Sequence, residues 1–92
     1  MPGRAGRGPL EQLVEFVLYS RPGCHLCDEM LESLADITEG HVVTIRTVDI
    51  DGDPDLKRRY GLRIPVLTLS GEEICSARLD ADRIRLLLRL VD

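Results

Sequence analysis

The segment Val14-Glu15-Phe16-Val17-Leu18-Tyr19-Ser20-Arg21-Pro22-Gly23-Cys24-His25-Leu26-Cys27 joins two kinds of periodicity. Its first six residues are apolar except Glu15 and rich in β-forming side chains, and Ser20-Arg21-Pro22-Gly23 stops them as a turn. From Cys27 onward, Met30, Leu31, Leu34 and Ile37 continue a helical stripe with acids on the other face. A C-x-x-C pair therefore opens a helix directly after a strand. Cys27 belongs to the buried stripe, whereas Cys24 stands at the first turn, where backbone N–H groups are unpaired and the helix dipole is positive. That position favours a thiolate, so Cys24 reads as the exposed nucleophile and Cys27 as the shielded thiol that resolves a mixed disulfide. Arg21 and a protonated His25 favour the thiolate, while Asp28, Glu29 and Glu32 oppose it. His25 reads equally well as a solvated turn residue.

Downstream, Gly40 lies where a helix cap is expected, and Val42–Ile50 is a second strand, β-branched at most positions. Asp51-Gly52-Asp53 turns into a short charged helix from Pro54 to about Tyr60, closed by Gly61. Pro65–Leu69 and Glu73–Ala77 are third and fourth strands, joined closely enough to form an antiparallel hairpin. Asp80 offers an N-cap for a last helix with Ile84, Leu87, Leu88 and Val91 on one face. The order is β-α-β-α-β-β-α: a right-handed parallel β-α-β unit followed by a hairpin covered by a helix. The expectation is an α/β fold with a four-stranded mixed sheet flanked by helices, formed as one domain by residues 10–92. Residues 1–9, rich in Gly, Pro and Arg with nothing to bury, read as a disordered tail.

Composition removes most other classes. The chain has 92 residues, 43% hydrophobic and 30% charged, which suits one ordinary globular domain. No apolar run approaches the roughly 18 residues needed to span a bilayer, so no membrane partner is expected. Taking Arg4 and Arg7 of the tail out of the formal charge of −4 leaves −6 on residues 10–92. An acidic body with only Phe16, Tyr19 and Tyr60 as aromatics argues against nucleic-acid binding. Three cysteines, an odd number, fit a secreted disulfide scaffold poorly, and the start carries no signal-peptide apolar region. A cytoplasmic monomer is the expectation.

The rival reading of C-x-x-C is half of a zinc site, which requires a second pair of ligands. Cys75, His25 and His41 are the only further Cys or His candidates, and no second C-x-x-C exists. Redox chemistry is favoured and no metal is expected. Cys75 reads as a small buried packing residue. Asp49-Ile50-Asp51-Gly52-Asp53 lacks the glycine and glutamate spacing of a calcium loop. Lys57-Arg58-Arg59 reads as a solvated face, or as an attractor of anions together with Arg63.

The combination of Tyr19-Ser20-Arg21-Pro22-Gly23-Cys24-His25-Leu26-Cys27, Val48-Asp49-Ile50-Asp51 with Leu56 and Tyr60-Gly61, and Arg63-Ile64-Pro65-Val66-Leu67 with Gly71 resembles the small glutaredoxin-like proteins of the thioredoxin superfamily. The resemblance covers about residues 14–90 and implies a thioredoxin-like fold and thiol–disulfide exchange. It implies that Pro65 is a cis-proline beside the cysteine pair. It implies that Ile64 offers its backbone to a substrate, and that Arg21 and Asp80 (or Asp82) contact it. A protein disulfide or a glutathione mixed disulfide is the implied substrate. No cofactor is required, and glutathione is a candidate reductant. The sequence departs from ordinary glutaredoxins in its His25-Leu26 dipeptide and in having Ser76-Ala77-Arg78-Leu79 where a Gly-Gly pair precedes the last helix. The remaining alternatives are a binding domain of the same fold without turnover, and a metal or iron–sulfur site through Cys24, Cys27 and Cys75.

Overall fold

The fold grows from one buried strand. Val14–Ser20 forms β1, and its parallel neighbour β2 is Val43–Asp49, reached through helix α1, His25–Ile37. A 3-10 turn at Ile50–Gly52 leads to helix α2, Pro54–Tyr60. The hairpin strands β3, Val66–Leu69, and β4, Glu72–Ser76, precede helix α3, Ala81–Val91. This computed structural model describes residues 14–91, so the tail expected at residues 1–9 lies outside the described residues, as does the side chain of Val91. The sheet order is β2-β1-β3-β4, with β1 antiparallel to β3 and β3 antiparallel to β4. The expected α/β fold, with a four-stranded mixed sheet, is the fold observed.

Alternation along β1 divides the two faces of the sheet. Phe16 and Leu18 join Met30 and Leu34 of α1 and Ile84 and Leu88 of α3 in the main core. Tyr19 points the other way and stacks on Tyr60 of α2, ring centroids 4.5 Å apart. The smaller helix thus covers the second face through an aromatic pair, and Tyr60 is buried.

Local details refine the expected boundaries. Helix α1 ends at Thr38, not through a glycine cap: the Thr38 hydroxyl donates to the Leu34 carbonyl at 2.8 Å, and Gly40 lies two residues beyond. Helix α2 has the expected limits, with Asp53 as N-cap accepting the Asp55 N–H at 2.9 Å. Gly61 follows it in a right-handed conformation, so its role is steric; a Cβ there would stand 2.5 Å from the Lys57 carbonyl oxygen. The β3–β4 connection uses Ser70 and Gly71, both with positive φ (51° and 90°), a turn whose twist suits a two-residue hairpin. Strand β4 stops at Ser76, one residue before its expected end, because Ala77 turns to φ 66°.

Candidate redox site

The C-terminal ends of β1 and β2 lie together, and the Tyr19–Val66 and Val66–Ser76 pairings bring the start of β3 and the end of β4 to that same end of the sheet. The Cys24 turn, the Asp49–Asp53 loop, Ile64-Pro65 and the loop into α3 are therefore gathered at one edge of the molecule. This is the edge from which parallel strands of α/β folds feed their functional loops.

Cys24 is the N-cap of α1. Its backbone is extended (φ −93°, ψ 104°), and its Sγ accepts the Cys27 backbone N–H at 3.1 Å. One of the orphan donors of the helix start is thus satisfied by the sulfur itself. Cys24 and Cys27 form a disulfide with Cα atoms 5.2 Å apart. Cys27 is 3% exposed, whereas Cys24 is partly open to solvent. The asymmetry expected from the helical register is present. His25 and Leu26, between the two cysteines, are both exposed.

The Ile64–Pro65 bond is cis, Pro65 is buried and Ile64 is half-buried. The Pro65 carbonyl accepts the Ala77 N–H at 2.8 Å, so the proline loop and the β4–α3 loop are tied together. Arg21, expected to support the Cys24 sulfur or a substrate, instead bonds a carboxylate across the sheet: its Nη2 and Nε lie 3.0 and 3.1 Å from Asp51 Oδ1. Asp80 is the N-cap of α3, accepting the Arg83 N–H at 3.1 Å. Replacing Asp80 by alanine should lower stability by about 1 kcal/mol, the usual cost of a lost N-cap. Chemical denaturation checks this, and an unchanged midpoint would deny the cap a structural role.

The arginines near α2 are also engaged. Arg58 and Arg59 pair with Asp55 at 2.8 and 3.9 Å, and Arg59 and Arg63 lie over the Tyr60 ring. Arg63 Nη1 meets Glu73 Oε2 at 2.6 Å, and this hydrogen bond holds the guanidinium above its usual pKa. Cys75 lies on β4 opposite Leu67, packed against the main core and half-buried, so it is less enclosed than its packing role required. Burial pushes its thiol pKa up, against a lowering hydrogen bond from the Asp80 backbone. Among the described residues no group of three or more His, Cys, Asp or Glu side chains is placed to hold a metal ion. No helix among them is long and apolar enough to cross a membrane.

Asp51 and Tyr19 enter the sequence reading only within the strand, turn and family motifs, and the structure gives each a partner at this edge. The parallel register supplies the signal for Asp51: Ser20 sits opposite Asp49, which brings the residues just beyond both strand ends into reach.

A disulfide capping the helix that follows the central strand, with a cis-proline at the head of the antiparallel strand at the same edge of the sheet, places the molecule among thioredoxin-fold proteins with a redox-type cysteine pair. Residues 15–89 match the family model described as "Glutaredoxin-like domain (DUF836)", and the chain belongs to that family. A solved protein from Nitrosomonas europaea is 32% identical, with TM-score 0.74 over 95% of this chain and 98% of its own. A structural genomics target protein from X. campestris is 41% identical, with TM-score 0.67 over 82% of this chain and 96% of its own. An uncharacterized protein of Mycobacterium tuberculosis is 33% identical over 73 residues, which is 74% of this chain and 75% of that one. A thioredoxin from Halobacterium salinarum, 22% identical with TM-score 0.58 over 85% of this chain and 74% of its own, shares the fold.

Proposed function

We propose that this protein is a thiol–disulfide oxidoreductase that acts on protein disulfides through Cys24 and Cys27. The observation that carries the reading is the asymmetry of the pair: Cys24 caps the helix and is partly open, while Cys27 is buried one turn later. In the reduced protein the Cys24 thiolate attacks one sulfur of a substrate disulfide. A Cys24–substrate bond forms and the other substrate sulfur leaves as a thiolate, which takes up a proton. The Cys27 thiol then gives up its proton and attacks Cys24 Sγ, closing the Cys24–Cys27 disulfide and releasing the second substrate thiol. The substrate gains two electrons and the protein loses two. A thiol reductant, with glutathione as one candidate, restores the dithiol by the reverse exchange.

The helix N-terminus favours the attacking thiolate, and the half-exposed Ile64 beside Pro65 is the backbone segment on which an extended substrate would lie. Asp80 fixes the start of α3 and stands exposed at the same edge, where it is a candidate contact for the substrate. We place the protein in the cytosol as a monomer, since three cysteines fit a secreted disulfide scaffold poorly. The test is to equilibrate the protein with glutathione buffers and follow the Cys24–Cys27 disulfide, alongside turnover of a protein disulfide. A midpoint between about −270 and −200 mV with turnover is expected. A pair that stays oxidised throughout, or a dithiol that reduces nothing, would favour a binding domain.

A further inference from the structure

Two of the segments beside the Cys24–Cys27 disulfide carry an arginine that is neutralised from another element, whereas Arg78 of the loop into α3 is exposed. Arg21, three residues before Cys24, places two donors on one oxygen of Asp51, at 3.0 and 3.1 Å. Asp51 is itself braced, its N–H donating to Asp49 Oδ1 at 2.8 Å. The parallel β1–β2 register sets Ser20 opposite Asp49, so backbone geometry delivers this pair as well as the two side chains. Arg63, two residues before Pro65, is held by Glu73 at 2.6 Å. The first turn of α1 adds exposed Asp28 and Glu29.

We infer that Asp51 is a specificity-determining residue: by holding Arg21 it withholds the nearby cation from anionic thiols and directs Cys24 toward neutral or cationic disulfides. The inference rests on the thiol–disulfide reading and names its substrate class. A glutathione-like tripeptide, with two carboxylates and one ammonium, meets Arg21 and Arg63 already paired and Asp28 and Glu29 exposed beside Cys24. A protein disulfide flanked by neutral or basic residues meets no such opposition.

The test uses the fully reduced chain and two alkylating probes of similar size, anionic iodoacetate and neutral iodoacetamide, with the rate at Cys24 read by peptide mass spectrometry. Both consume the same thiolate, so their rate ratio cancels any change in thiolate fraction and reports local charge. The D51N variant should raise the iodoacetate-to-iodoacetamide ratio about threefold, the scale of an exposed ion pair. High salt should erase the gain. In the R21Q background, replacing Asp51 should raise the ratio by clearly less than threefold. An unchanged ratio in D51N overturns the inference. So does an equal rise when Asp51 is replaced in the R21Q background, because the effect would then be loss of negative charge without release of Arg21. The alkylation ratio does not depend on turnover. If it behaves as expected while no disulfide is reduced, the oxidoreductase reading fails and the electrostatic role of Asp51 stands.

Discussion

C24S is expected to reduce disulfide turnover by about 10³-fold or more, the scale on which loss of a nucleophile acts. A serine hydroxyl is almost wholly protonated at neutral pH and cannot attack a disulfide sulfur. No other thiol can substitute. Cys27 is 3% exposed behind the first turn, and the raised pKa of half-buried Cys75 keeps that thiol protonated through neutral pH. C27S should behave differently. The first exchange still proceeds, but nothing inside the protein attacks the Cys24–substrate bond, so a mixed disulfide accumulates. Non-reducing gels and intact mass measurement distinguish the variants: C27S gives a covalent adduct and C24S gives none. An adduct through Cys75, or full turnover by C24S, would remove Cys24 from the proposed mechanism. The hydroxyl of C24S can still accept the Cys27 N–H, so its fold should be retained.

The helix start at the cysteines was legible because two signals agree there: a β-rich run ends at Pro22-Gly23, and the apolar stripe that follows includes Cys27. Helix α2 was legible to the residue because Asp53, Pro54 and Gly61 each act locally. Sheet order was not, since pairing β1 between β2 and β3 depends on contacts between segments about 50 residues apart in the chain. The cis bond at Ile64–Pro65 came from family resemblance. Local sequence encodes it weakly, as about 5–6% of X–Pro bonds are cis, and tertiary packing selects the isomer. The end of α1 shows a competition between caps: Gly40 is the strong sequence signal, yet the Thr38 hydroxyl reaches the Leu34 carbonyl first.

Site residues divide in the same way. Roles that follow from helical register, the exposure of Cys24 and the burial of Cys27, could be read directly. Arg21 could be placed beside the cysteines but not assigned a partner, because Asp51 lies 30 residues away and meets it only through strand register. Asp80 was legible twice, as an N-cap from local sequence and as a substrate contact from resemblance. The structure shows its carboxylate capping α3.

The largest loss of stability is expected from Phe16→Ala. Phe16 is fully buried at the centre of β1, where α1 and α3 close over the sheet. Truncation removes most of an aromatic side chain from a core with no other phenylalanine to collapse into the space. Such changes cost about 3–5 kcal/mol, from transfer of the lost atoms plus the cavity left behind. A small domain holds only about 5–15 kcal/mol in total, and each kcal/mol shifts Tm by about 4–8 °C at this size. Tm should therefore fall by about 12 °C or more, measured by thermal denaturation of the oxidised protein. Because β1 carries the turn that positions Cys24, redox exchange should fail together with the fold on heating, whereas C24S should lose exchange while melting near the wild-type temperature. A Phe16→Ala protein that melts within a few degrees of wild type would mean that β1 is not the centre of the core. In that event the placement of Cys24 by that strand would need another physical basis.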